Sequence, residues 1–205
     1  MLESQEKEWI EDEVISRRMP QILAEVRSKF PDEDFSEFEE KAKNNLIPNP
    51  FLLEKKNKDS LIVLSGLIHK EYALILLIGI MGVKVTEDGK AVIMEENREI
   101  DVTSDVLNII PQLTSACALS IKNLSVLEDY IEEIGEMLNI LALAIYLSVA
   151  LKSPSVLEKV LLMVAYTISN ARNEKVREMI REKTVKELRE LGFEDLAETF
   201  TKMAK

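Results

Sequence analysis

Asn139-Ile140-Leu141-Ala142-Leu143-Ala144-Ile145-Tyr146-Leu147-Ser148-Val149-Ala150 contains no charged side chain. It lies within a longer stretch, residues 106–171, that holds three lysines (Lys122, Lys152, Lys159) and six acids, five of them between Glu128 and Glu136. The whole chain nevertheless carries 31% charged residues and a net charge of -11. Charge is thus segregated to the ends. A helix that is apolar on nearly every face has to be covered by something. The pattern predicts an all-α, multi-helix bundle. Its expected centre is a buried helical pair, residues 138–151 and 156–169, with the other helices wrapped around it.

The flanking sequence supports helices on both sides. Apolar residues at Leu2, Trp9, Ile10, Val14, Ile15, Met19, Ile22, Leu23 and Val26 follow helical spacing. Pro20 is expected to kink or split that helix, and Pro31 to end it. A short acidic helix follows to about Asn45. Pro48-Asn49-Pro50 is the clearest break in the chain. It divides an N-terminal acidic helical arm or subdomain, residues 1–47, from a helical core domain, residues 48–205. Trp9 is read as a core anchor on the first helix, with gripping a second protomer as the alternative.

Beyond the break, a mostly apolar helix is expected from Leu61 to about Met81. From Val83 to Val102 the pattern changes to short β segments. Asp88-Gly89 supplies one hairpin turn and Glu95-Glu96-Asn97-Arg98 a second. Two or three short strands are marginal alone, so this meander must pack on a helix or on a second copy. A helix capped by Thr103 or Ser104 is expected to break at Pro111 and resume to about Asn123. Ser125-Val126-Leu127-Glu128 has the form of a capping box opening the next helix. Ser153-Pro154 reads as a stop and a new start. The last helices are 174–191, laced with i, i+4 charge pairs, and 193–203, with Gly192 between them.

Composition excludes several classes of function. One cysteine rules out an internal disulfide framework or a cysteine-based zinc site within the chain. His69 is the single histidine, so no histidine-pair metal site exists within one chain. A charge of -11 disfavours direct nucleic-acid binding, which depends on Lys and Arg at phosphates. A winged-helix reading of 61–102 fails for the same reason: its wing would present Glu87, Asp88, Glu95 and Glu96. No signal peptide is visible, the longest apolar runs are interrupted or too short for a bilayer, and the expected compartment is the cytoplasm. Abundant Glu, Lys, Leu and Ile with scarce Gln and Cys give a thermophile-like composition.

Four features carry candidate chemistry. Glu128, Glu132 and Glu136 would share one helix face with Asp129 and Glu133 beside them, and with acids from a second helix or chain, such as Asp101 or Asp105, Glu128, Glu132, Glu133 and Glu136 would form a Mg²⁺ or Mn²⁺ site. The alternative is that they mark the solvated end of a buried helix, where the dipole favours acids. His69-Lys70-Glu71 is read as a polar patch where its helix surfaces. Cys117, between alanines, is read as a buried structural cysteine. Gly79-Ile80-Met81-Gly82 lacks the lysine and the strand-to-helix context of a phosphate loop.

No set of catalytic residues emerges. The expectation is a non-enzymatic interaction or assembly protein with no cofactor, self-associating as a homo-oligomer, with an acidic surface for a basic protein partner. The alternative is a divalent-metal-dependent hydrolase of phosphate-containing substrates built on Glu128, Glu132, Glu133 and Glu136.

Overall fold

The computed structural model describes residues 7–203. The expected helix start at Leu2 lies outside them. The all-α bundle and the small β meander are both present.

The chain opens with a strand rather than a helix. β1 (Trp9–Glu11) pairs antiparallel with β2 (Leu46–Pro48), in the register Trp9↔Pro48, Ile10↔Ile47 and Glu11↔Leu46. Between them lie α1 (Glu13–Lys29) and α2 (Ser36–Lys43). Trp9 rests on Phe38 of α2, ring centroids 5.8 Å apart, with Lys41 Nζ 5.2 Å from the Trp9 ring. Asp12 begins α1: its Oδ1 accepts from Ile15 N at 2.8 Å, and Glu13 follows in the first turn. The helix is continuous through Pro20, so the expected split does not occur. Proline inside a helix costs about 3 kcal/mol, but Ile15, Met19, Ile22, Leu23 and Val26 all bury on one face across it. Packing outweighs the lost backbone bond.

Asn49 caps the short α3 (Pro50–Lys55), accepting from Phe51 N at 3.1 Å, with Pro50 in the first turn. α4 (Asp59–Ile80) follows, helical from its start. The meander is β3 (Lys84–Val85), β4 (Ala91–Glu95) and β5 (Arg98–Asp101), ordered β3-β4-β5 and antiparallel throughout. Both central residues of its second turn, Glu96 and Asn97, have positive φ (49° and 64°), the geometry that matches strand twist.

The remaining helices are α5 (Thr103–Leu124), α6 (Ile131–Ala150), α7 (Pro154–Asn170), α8 (Glu174–Glu190) and α9 (Glu194–Lys202). α5 is continuous through Pro111, where a break was expected. The capping box at Ser125 does not form. Ser125 ends α5, its Oγ donating to Lys122 O at 2.6 Å and accepting from Arg172 N at 3.0 Å. A partner distant in sequence takes the hydroxyl that the local motif would have used. A 3-10 turn, Glu128–Tyr130, then leads into α6.

The most extensive helix contact is α4 with α5, and α5 is the hub of the bundle. α5 packs on α4, α6 and α7 and touches β4. Every residue of α4 from Ile62 to His69 is buried. Gly66 permits the approach: a Cβ there would lie 2.9 Å from Leu124 Cδ2 and 3.1 Å from Asn123 Cβ. α7, by contrast, leaves Leu162 and Tyr166 exposed. α1 packs on α4, and its Ile15, Met19, Leu23 and Val26 belong to the same core as the later helices. Two helical stretches, Asp59–Ile80 and Glu128–Ala150, are long and apolar enough to cross a membrane, but 50% and 56% of their apolar windows are buried within the protein.

Candidate functional site

Three helices and one strand enclose an apolar cleft of about 470 Å³. The Asn49 cap sets α3 so that Pro50 and Phe51 form one wall. α4 supplies His69, Tyr72 and Leu76 at helical spacing, and α5 supplies Pro111, Ala116 and Leu119. Ile10 of β1 closes one side.

His69 is the anomalous member. It does not surface with Lys70 and Glu71, as its sequence neighbourhood suggests; it is 4% exposed. The Phe51 ring meets it edge-on, centroids 5.2 Å apart. Its Nε2 has no hydrogen-bond partner among the described residues. Burial lowers its pKa to about 4; the charge of Glu54 opposes that shift and Lys122 adds to it. The imidazole is therefore neutral at physiological pH.

Several of the polar groups around it are already engaged. Tyr72 Oη donates to Asp12 Oδ2 at 2.9 Å, so one carboxylate both caps α1 and anchors the cleft. Burial first, then the Asp12 charge, raises the Tyr72 pKa. Gln112 Nε2 donates to Asn108 O at 3.2 Å. Beneath the cleft, Asn123 Nδ2 donates to Glu54 Oε2 (2.8 Å) and to Ser65 Oγ (3.1 Å), and Ser65 donates to Pro50 O (2.7 Å). Lys122 Nζ lies 3.3 Å from Glu54 Oε2 and donates to Tyr166 Oη at 3.3 Å. This network joins α3, α4, α5 and α7.

The acidic row is arranged differently from its expected form. Glu132, Glu133 and Glu136 lie on α6, whereas Glu128 belongs to the 3-10 turn and leaves the α-helical register. Lysines sit among the acids: Lys29 Nζ is 2.8 Å from Asp129 Oδ2 and Lys70 Nζ is 3.9 Å from Glu136 Oε2. The acids that face this row come from α1 and α4. Burial raises the Glu25 pKa, with Glu133 and Glu71 adding to it and Lys70 opposing. Asp101 instead accepts from Thr103 N and Oγ, and Asp105 lies exposed in the first turn of α5. Among the described residues, no three His, Cys, Asp or Glu side chains are grouped so as to hold a metal ion.

Cys117 is fully buried, and burial pushes its pKa up to about 12. That is an inert thiol.

The last feature is the far end of α4. From Tyr72 to Met81 it carries no charge, and only Ala73 and Ile80 are buried. Ile78 is 62% and Met81 70% exposed. The meander that follows adds exposed Met94 and Ile100.

Comparison with protein-family models, curated proteins and solved structures gives no match. The functional reading rests on geometry alone. The cleft was not legible beforehand because it draws on Ile10, Phe51, His69 and Pro111, residues from four separate elements. The one sequence signal was a lone histidine inside an apolar helix.

Proposed function

We propose that this chain is a non-enzymatic helical assembly protein that self-associates through the uncharged end of α4. The observation that carries this reading is the exposure of Ile78 and Met81 on a helix end with no charged side chain from Tyr72 onward. An exposed apolar patch of this kind marks an interaction surface.

A second copy is the occupant that suits it. The patch has no charge to complement, and a two-fold contact places like apolar residues against one another. The acidic residues stay outside the contact: Glu87, Glu95, Glu96 and Glu99 of the meander are all exposed. With a net charge of -11 they give the assembly a surface suited to a basic protein partner, in the cytoplasm.

Light scattering coupled to size exclusion tests the reading on the full chain. The expected result is a dimer or larger that survives high salt and becomes monomeric on Ile78→Glu. A monomeric wild type across the micromolar range, or an oligomer that Ile78→Glu leaves intact, overturns it.

A further inference from the structure

We propose that the cleft between α3, α4 and α5 is a binding site for an uncharged, mostly apolar molecule bearing one hydroxyl, an aliphatic or aromatic alcohol, whose hydroxyl pairs with Nε2 of His69. The inference is independent of the assembly reading.

The first argument is the orphaned nitrogen. His69 is 4% exposed, lines the cleft, and has no partner at Nε2 among the described residues. Buried polar side-chain atoms are nearly always hydrogen-bonded, and one left unmade is a standing cost that a guest relieves. Besides His69, the polar side chains of the lining are Tyr72 of α4 and Gln112 and Ser115 of α5, and none of them bonds to Nε2. Ile10, Phe51, Leu76 and Leu119 are apolar, the Tyr72 hydroxyl is committed to Asp12, and the Gln112 amide donates to Asn108 O.

The second argument fixes the charge of the guest. A carboxylate head would need a cation, and the lysine whose charge reaches His69, Lys122, is held by Glu54 at 3.3 Å. An ammonium head would find two anions, both engaged: Asp12, whose oxygens accept from Ile15 N and Tyr72 Oη, and Glu54, held by Lys122 and Asn123. Burying either charge unpaired is prohibitive. A hydroxyl fits because it both donates and accepts, so it pairs with Nε2 in either tautomer of neutral imidazole.

The third argument is size. At about 470 Å³ the cleft falls within the usual range for small-molecule sites, with a predominantly apolar lining and few polar groups. Nε2 itself is buried, so a guest reaches it by turning aside the Phe51 ring, which is 50% exposed and edge-on to the imidazole.

The test exploits a property of the sequence: His69 is the only histidine. Tag-free full-length protein with isotope-labelled histidine gives a single imidazole to follow by NMR. Naphthol is titrated in, with naphthalene and naphthoate as controls. The expected result is a saturable shift of the Nε2 resonance with naphthol, little Nε2 shift with naphthalene, and no binding of naphthoate. In His69→Phe, naphthol affinity falls about five-fold, the worth of one neutral hydrogen bond, while naphthalene affinity is unchanged. No saturable Nε2 shift with naphthol overturns the proposal, as does an equal shift with naphthalene. The wild-type titration decides the matter even if His69→Phe fails to fold. Solution mass measured on the same samples separates this result from the fate of the assembly reading.

Discussion

The side-chain amide of Asn123 donates to the Glu54 carboxylate at 2.8 Å and to Ser65 Oγ at 3.1 Å. One residue of α5 thereby ties down both α3 and the most buried stretch of α4. Asn123 is 3% exposed, so its amide has no water to fall back on.

Asn123→Ala is expected to lower stability by about 1–3 kcal/mol, because it leaves the Glu54 carboxylate without its amide donor and Ser65 without one partner. Urea denaturation of the two proteins measures the difference. A change near zero would show that the network is incidental.

Glycine substitutions should separate close packing from helix propensity. Gly66→Ala puts a Cβ 2.9 Å from Leu124 Cδ2 and is expected to destabilise by about 1–3 kcal/mol, the usual range for overpacking. Gly135→Ala meets nothing within 4 Å and is expected to stabilise by up to about 1 kcal/mol, since alanine is the better helix former. Thermal denaturation of the pair reads both signs at once.

His69 ties stability to pH. Its folded pKa of about 4 lies below the ordinary value of 6.5, so the unfolded chain takes up the proton first as pH falls. Stability is fully present above 6.5 and declines toward 4, by up to about 3 kcal/mol for this group. Burial raises the Glu25 pKa as well, so the quantity to read is the difference between wild type and His69→Phe. That difference is expected to narrow steadily on acidification; a constant difference would contradict the burial of a neutral imidazole.

Cys117 is expected to resist an aromatic disulfide reagent in native buffer and to react fully in urea, given its burial and raised pKa. Labelling within seconds under native conditions would mean that α5 opens readily.

The acidic row gives a further test. With Lys29 and Lys70 among its carboxylates and no grouping of three ligands, millimolar Mg²⁺ or Mn²⁺ is expected to leave the melting temperature unchanged. A rise that Glu133→Gln abolishes would revive a metal site at Glu132, Glu133 and Glu136.

Much of this architecture was legible in the sequence, and the misreadings share a cause. The meander was readable because Asp88-Gly89 and Glu96-Asn97 are turn residues whose backbone preferences are local. Pro20 and Pro111 were misread as breaks because buried residues on either side hold each helix together, and sequence does not display that packing. Ser125 was misassigned because Arg172, distant in sequence, claims its hydroxyl. Scarcity of charge points to residues 138–151, yet it does not reveal the close approach of α4 to α5 that Gly66 permits. Trp9 and Ile10 fit helical spacing and still became a strand, because β2 offered Trp9–Glu11 an edge to pair with. Of the functional surfaces, the acidic row could be seen as a cluster, but its lysine partners on α1 and α4 could not.

Most of the extensive helix contacts join neighbours along the chain: α4 with α5, α5 with α6, α6 with α7, α7 with α8, α8 with α9. The protein is thus ordered for construction in the direction of synthesis. When residues 139–150 leave the ribosome, α5, the helix they pack on, has already been made. That uncharged segment emerges onto a waiting surface, and contacts between near neighbours need no long search to form.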